Sequence, residues 1–243
     1  MQPNLQHRAP ETDFKTLIVG LGKTGVSCAR CLRAQGVMAA VTDSRDNPPG
    51  LETLRQEMPD LAVFVGGFRP EVFAAAERLV VSPGVALAEP LIQEALARGV
   101  SVVGDVELFA RAAGAPICAI TGSNGKSTVT SLVGLMARLD GRAVAVGGNL
   151  GEPVLDLLDP AANLYVLELS SFQLETTRTL EARVAVCLNL SPDHMDRYAS
   201  LEAYAAAKAG IYAGAEIAVV NRDDPRALAM VEANPPTTGL TLG

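Results

Sequence analysis

Thr121-Gly122-Ser123-Asn124-Gly125-Lys126-Ser127-Thr128 decides how this chain is read. The run lies between an apolar segment, Ala115 to Ile120, and an amphipathic one. A glycine-rich turn from a strand into a helix aims backbone N–H groups and the positive helix end at one place, a cradle for polyphosphate. In such a cradle Lys126 would meet the β- and γ-phosphates and the Ser127 hydroxyl would reach Mg²⁺. The full phosphate-loop spacing asks for glycine at position 120, where this chain has isoleucine, so the run is a shorter TGxxGKS form. Glycine turns before helices are common for purely structural reasons. A lysine in a first helical turn, however, opposes the helix dipole unless an anion sits there. Gly122, Ser123, Asn124, Gly125, Lys126, Ser127 and Thr128 are therefore the residues expected around a nucleoside triphosphate.

Outward from this loop, apolar runs and helical patterns alternate in both directions. Strands are predicted at 14–19, 37–42, 61–65, 79–81 and 100–103, with helices at 24–35, 51–58, 71–76 and 90–98. Pro90 opens the last of these helices and Gly99 stops it. After a helix at 105–114 come strands at 115–120, 143–146, 164–169, 184–190 and 217–220, and helices at 201–212 and 225–233. Val129, Leu132, Val133, Met136 and Leu139 fall at helical spacing and predict one apolar face on the helix that follows the loop. Such alternation means βαβ units and parallel sheets. Two α/β domains are expected, residues 1–104 and 105–243, the second ending just after the start of a further strand.

Composition narrows the possible functions. A hydrophobic share of 49% over 243 residues supports a sizeable core. The net charge of −7, the absence of Trp and the scarcity of other aromatics argue against a nucleic-acid partner. The first fifteen residues are polar, with Pro3, Asn4, His7, Pro10 and Asp13, which predicts no secretory leader. No uncharged apolar run is long enough to cross a membrane. Cys28 and Cys31 form a C-x-x-C pair with no second pair or histidine cluster nearby, so helix packing explains them better than zinc. Cys118 and Cys187 read as small core residues, and a reducing, cytoplasmic setting follows.

Three further stretches carry chemistry. Gly20-Leu21-Gly22-Lys23-Thr24-Gly25 is a complete G-x-G-x-x-G between strand and helix, with Asp43 23 residues after Gly20. That arrangement suits a pyrophosphate on the glycine turn and an acid on a ribose hydroxyl, which UDP or NAD would fill. Ser82-Pro83-Gly84 adds a loop on the same sheet edge, or an ordinary turn. In Leu167-Glu168-Leu169-Ser170-Ser171-Phe172-Gln173 an apolar strand ends on an acid, and a carboxylate beside a phosphate loop is placed to hold Mg²⁺. His194, one of two histidines, follows a core strand in an acid-rich loop, which points to a metal or ligand role. Asn149, in Gly147-Gly148-Asn149-Leu150-Gly151, falls after another strand. Lys208, on an alanine-rich helix, reads on its own as a solvated lysine.

These pieces together resemble the Mur ligase family. The matching motifs are GLGKTG (20–25), SPG (82–84), GDVELF (104–109), ITGSNGKSTVT (120–130), GGNLG (147–151), YVLELSSFQLET (165–176) and DHMDRY (193–198), in order along nearly the whole chain. The resemblance implies a Rossmann-like UDP-substrate domain followed by a phosphate-loop-like ATPase domain. It implies ATP and Mg²⁺ as cofactors, and UDP-N-acetylmuramoyl-L-alanine and glutamate as substrates of an ATP-driven amide ligation through an acyl phosphate. LELSSFQLET favours glutamate addition over the sibling ligases. By the same resemblance Leu21, Lys23, Thr24, Asp43, Ser44, Arg45 and Gly84 would line the uridine-diphosphate site, and Asn149 and His194 would touch the muramoyl substrate. Ser127, Glu168, His194 and Lys208 would serve the metal centre, Lys208 after carbamylation by CO₂. Lys126, His194 and Lys208 are then the catalytic candidates.

The family form runs on through the rest of the ATPase domain and a third, glutamate-binding domain. The 243 residues are accordingly expected to be an inactive fragment of a cytoplasmic, monomeric enzyme. Two rival classes remain: a nicotinamide-dependent oxidoreductase, on the strength of the glycine fingerprint and Asp43, and a non-catalytic module that holds UDP-sugar and ATP.

Overall fold

The computed structural model describes residues 14–242. The polar stretch through Asp13, on which the expectation of no leader rests, lies outside the described residues, as does Gly243. The chain divides into two compact units between Val102 and Val103.

The first unit contains β1 (Thr16–Val19), α1 (Lys23–Ala34), β2 (Ala39–Thr42), α2 (Leu51–Glu57), β3 (Ala62–Phe64), α3 (Pro70–Ala74), β4 (Arg78–Val81), α4 (Pro90–Ala97) and β5 (Ser101–Val103). The strands lie in the order β3-β2-β1-β4-β5, and β1 runs parallel to both β2 and β4. All four residues of β1 are buried, as expected of a central parallel strand covered on both faces. Leu17, Val19, Leu79 and Val81 share a cluster with Phe73, Ile92 and Ala95. Cys28 is buried on α1, and Cys31 partly so.

The second unit contains α5 (Asp105–Ala112), β6 (Ile117–Thr121), α6 (Lys126–Leu139), β7 (Val144–Gly148), β8 (Leu164–Glu168), α7 (Ser171–Leu174), β9 (Val184–Cys187), α8 (Leu201–Ala209), β10 (Ile217–Val220), α9 (Pro225–Ala233) and β11 (Gly239–Leu242). Its sheet runs β11-β10-β9-β6-β8-β7, with every strand parallel to its neighbours. Parallel strands send all their C-terminal ends to one edge, and successive connections lead away from β6 to either side. Ligands of open α/β sheets bind at such a reversal. The thiols of Cys118 and Cys187 are pushed up to about 11 by burial, in keeping with small core residues rather than reactive ones.

Three sequence expectations are corrected. The predicted helix 201–212 stops at Ala209 and tightens into a 3-10 turn at Gly210–Tyr212. The predicted strand 184–190 ends at Cys187, because Leu188 and Asn189 turn towards the glycine loop. Most clearly, the apolar stripe of α6 does not form its buried face. Of the stripe, Leu132, Met136 and Leu139 are 54%, 61% and 81% exposed and Val129 and Val133 are only half-buried, whereas Thr130 and Gly134 are buried. The helix meets the sheet through its small residues: a Cβ on Gly134 would lie 2.5 Å from Val146 Cγ2. Among the described residues no helix is long and apolar enough to cross a membrane.

Glu107 ties α5 to the segment after α7. Its buried carboxylate accepts from the amides of Arg178 (2.6 Å) and Thr179 (2.9 Å), the Thr179 hydroxyl (2.9 Å) and Arg111 Nε (2.9 Å). Burial alone would raise its pKa, but these donors outweigh burial and hold it below the usual 4.5. The unfolded chain therefore takes up this proton first on acidification, so the carboxylate's stabilisation is present above pH 4.5 and fades as pH falls through the lower folded value. Glu107→Gln should cost about 2 kcal/mol at pH 7. In urea unfolding at successive pH values, the gap between variant and parent should close below pH 4.5.

Candidate functional site

In the first unit, loops from four adjacent strand ends enclose a cleft of about 420 Å³. Gly20, Gly22 and Thr24 follow β1, Asp43, Ser44 and Arg45 follow β2, Phe68 follows β3, and Ser82 to Val85 follow β4. α1 starts at its rim with no side chain capping its first amides and no acid in its first turn, which leaves donors for an anion.

Asp43 is placed differently from the simple fingerprint reading. Its side chain is only 3% exposed, and both oxygens are engaged. The Leu21 amide donates to Oδ2 (2.7 Å), the Arg45 amide to Oδ1 (2.9 Å), and Arg45 Nε and Nη2 complete a bidentate pair (2.8 and 2.7 Å). Burial by itself would raise the Asp43 pKa, yet the Arg45 guanidinium and the Leu21 amide bring it below the usual carboxylate range. The carboxylate thus anchors Arg45 at the cleft instead of offering free acceptors to a ribose. Leu21 is fully buried and Lys23 is exposed at the start of α1, and neither side chain lines the cleft. Phe68 lines it without having been foreseen, because nothing in local spacing ties the β3 loop to the glycine turn, and Val85 extends the Ser82–Gly84 loop.

In the second unit the predicted residues gather at the C-terminal edge of the sheet. The glycine loop leaves β6 and enters α6 at Gly125, which has φ 79°. No side chain caps α6, so its first-turn amides face outward without an intrahelical partner. The loop is laced to the segment after β9. The Ser123 amide donates to Asn189 O (3.0 Å), the Asn124 amide to Asn189 Oδ1 (2.9 Å), and Ser123 Oγ to Ser191 O (2.9 Å). Asn189 and Ser191 as loop anchors escaped the sequence reading.

Glu168, 2% exposed at the end of β8, accepts from Ser127 Oγ (2.7 Å) and Asn149 Nδ2 (2.7 Å). Hard oxygen donors from Ser127 and Glu168 suit Mg²⁺, and the uncapped helix start suits phosphate, so the residues present fit both groups. Lys126 curls back over its own loop, with Nζ 2.9 Å from Gly122 O and 3.1 Å from Ser123 O.

Lys208 overturns its solvated reading. It is 1% exposed, with Nζ donating to Gly122 O (2.9 Å) and Thr121 Oγ1 (3.2 Å) and lying 4.8 Å from the Tyr204 ring centroid. Burial first, and the nearby Lys126 charge second, lower its pKa to about 8. His194 is not among the hydrogen-bond partners of Glu168. It stands half-exposed in the loop after β9, beside Asp193 and against Phe172. A separate apolar cavity of about 270 Å³ between α8 and α9 holds none of these residues.

Comparison with known proteins places the chain in a family. Residues 14–104 match the Mur ligase MurD-like N-terminal domain, and residues 120–242 match the Mur ligase middle domain. The chain belongs to the Mur ligase family. It is 56% identical over 235 residues to a UDP-N-acetylmuramoylalanine–D-glutamate ligase of Nitrosococcus oceani, an alignment covering 96% of this chain and 52% of that protein. A protein of the same name from Marinobacter nauticus is 60% identical over 213 residues, covering 88% of this chain and 48% of its own length. The chain thus spans about half the length of these curated relatives. Among solved structures, UDP-N-acetylmuramate:L-alanyl-γ-D-glutamyl-meso-diaminopimelate ligase from Neisseria meningitides has the same fold, with a TM-score of 0.61, 18% identity, and 94% of this chain and 78% of that one covered.

The glycine turn of the first unit gives a sharp stability test. A Cβ on Gly25 would lie 2.1 Å from the carbonyl oxygen of Gly20, whereas one on Gly22 would meet nothing within 4 Å. Gly25→Ala is expected to lose at least ~2 kcal/mol in chemical denaturation, because backbone cannot give way cheaply. Gly22→Ala should stay within about 1 kcal/mol of the parent.

Proposed function

We propose that this chain forms the UDP-substrate and nucleotide-binding parts of a cytoplasmic ligase. That ligase would join D-glutamate to UDP-N-acetylmuramoyl-L-alanine at the expense of ATP, in peptidoglycan precursor synthesis. The observation that carries the reading is the Ser127–Glu168–Asn149 cluster beside an uncapped helix start, since it offers cation ligands and anion donors side by side. Bound Mg²⁺ would neutralise phosphate charge there. Ser127 and Glu168 would hold the ion, while the amides of residues 125–128 and the Lys126 ammonium hold polyphosphate. Lys126 would leave its loop carbonyls to do so, exchanging neutral acceptors for charged ones. Asn149, already oriented by Glu168, and His194, with its open ring, would orient the muramoyl arm. In the first unit, Thr24, Ser44, Arg45 and Gly84 would line the uridine-diphosphate cleft, with Phe68 as its apolar wall. The engagement of both Asp43 oxygens counts against the nicotinamide rival, which wants a free acid at the ribose.

Lys208 fits a carbamylated lysine. Carbamate formation needs the neutral amine, and a pKa of about 8 leaves roughly one lysine in five neutral at pH 7.4, against roughly one in a thousand at the ordinary value. With ¹³C-bicarbonate, an NMR carbamate signal should appear and be absent from Lys208→Arg. At constant dissolved CO₂ and well below saturation it should grow at least about 25-fold from pH 6.5 to 8.5, as the neutral share of the amine rises from roughly 3% to roughly 76%.

The ligase reading itself is tested in a protein of full family length by phosphate release with ATP, D-glutamate and UDP-N-acetylmuramoyl-L-alanine. Lys126→Ala should lose about 10²-fold in rate, or ~3 kcal/mol of transition-state stabilisation. Near-parental turnover would refute the role given to the loop.

A further inference from the structure

The proposed chemistry makes no use of Phe172, yet three residues of the loop after β9 converge on its ring. The His194 imidazole lies 4.8 Å from it between centroids, tilted by 51°. The Tyr198 ring stacks at 5.9 Å, within 13° of parallel. The Arg197 guanidinium carbon sits 4.0 Å from the ring centroid, while Nη2 of the same residue is 3.3 Å from Glu175 Oε2.

His194 needs such support. Its φ of 55° puts a non-glycine residue in the left-handed region, where an L side chain is strained. The turn is closed by the amides of Arg197 and Tyr198, which donate to His194 O at 2.9 and 3.1 Å. These bonds fix the backbone but not the imidazole, which is half-exposed and has Asp193 Oδ2 only at 3.5 Å. Aromatic contacts supply the remaining constraint: Phe172, and more distantly the Tyr204 ring at 6.5 Å.

Phe172 is itself held firmly from the other side. Ser170 caps α7, its Oγ accepting from the Gln173 amide (3.3 Å) while Gln173 Oε1 accepts from the Ser170 amide (3.1 Å). Gln173 Nε2 in turn donates to the buried Asp105 Oδ2 (3.0 Å). One residue past Glu168, the Leu169 amide donates to Ile120 O (2.9 Å), so the segment is fixed to β6 before it turns into α7. The chain from Glu168 to Gln173 is thus a short span tied at Glu168, Leu169, Ser170 and Gln173.

From this geometry we infer that Phe172 is a positioning residue that sets the His194 imidazole relative to the Glu168 carboxylate. The placement stands on the contacts alone. Its consequence for substrate rests on the role proposed for His194.

The chain has only two histidines, so a His7→Gln background leaves one set of imidazole NMR signals, that of His194. In Phe172→Ala these signals should move to the positions of a solvent-exposed histidine and sharpen, while in Phe172→Tyr they should stay near the parental positions. Phe172→Leu keeps the apolar bulk for the case in which the alanine variant fails to fold, and it should lose the ring shift as well. Unchanged His194 signals in a folded Ala or Leu variant would overturn the inference. In a full-length enzyme, Phe172→Leu should raise KM for the UDP-linked substrate by about tenfold or more with KM for ATP unchanged, and Phe172→Tyr should restore it. Shifted signals with an unaltered KM would support the positioning and sink the substrate role of His194.

Discussion

A carboxylate that cannot be left alone organises the second unit. Glu168 lies at the end of an apolar strand, almost sealed from water, and a charge in such a place needs partners. It finds Ser127 from the helix after β6 and Asn149 from the loop after β7. The carboxylate and its two partners come from three strands that are neighbours only because the sheet is parallel and ordered β6-β8-β7. The register places Ile120 and Gly148 level with Glu168 on either side. The same edge receives the loop after β9, whose Asn189 and Ser191 stitch the glycine loop from the opposite flank. Hard oxygen groups and unpartnered helix-start amides therefore sit side by side as a result of backbone topology.

The first unit reaches a comparable result by different means. Here the sealed acid, Asp43, takes a cation and two amides as partners, and through them fixes the β2 loop to the glycine turn. Arg45 keeps about half its side chain exposed, so its charge remains open to the cleft. A pinned guanidinium loses less side-chain entropy on meeting a phosphate or a carbonyl than a free one would. The price of Asp43's burial is thus offset twice, by its own donors and by the readiness of Arg45.

Much of this was legible in the sequence, and the failures share a cause. The strand-helix alternation and both glycine turns are local signals, written in consecutive residues, and the parallel sheets follow from them. Glu168 announced itself because an acid at the end of YVLE breaks an apolar run. Lys208 gave no such sign. Its burial depends on Thr121 and Gly122, more than 80 positions away, which no helical periodicity around residue 208 reveals. The α6 stripe misled for the opposite reason. Periodicity marks the wide apolar face, but which face meets the sheet was decided by Gly134, whose missing side chain admits Val146. Asp43 is visible in the sequence as an acid at a strand end, but its partner Arg45, two residues on, changes what the carboxylate is free to do.

The two buried or half-buried lysines of the second unit bear on one another. Lys126 Nζ and Lys208 Nζ both donate to the carbonyl of Gly122, each at 2.9 Å. One carbonyl can accept two hydrogen bonds, but it cannot cancel two positive charges, and the depressed pKa of Lys208 reflects that imbalance after burial itself. Anything that supplies negative charge at this point relieves it: an anion drawn to the loop, or conversion of the Lys208 amine into an acidic group. The two remedies are not independent. An anion that takes Lys126 away from Gly122 removes a repulsive neighbour and lets Lys208 hold its proton more firmly. A Lys208 converted to an anion would instead hold Lys126 close. By linkage, whatever the loop binds must then shift the ionisation of Lys208, and the state of Lys208 must shift binding at the loop by the same free energy.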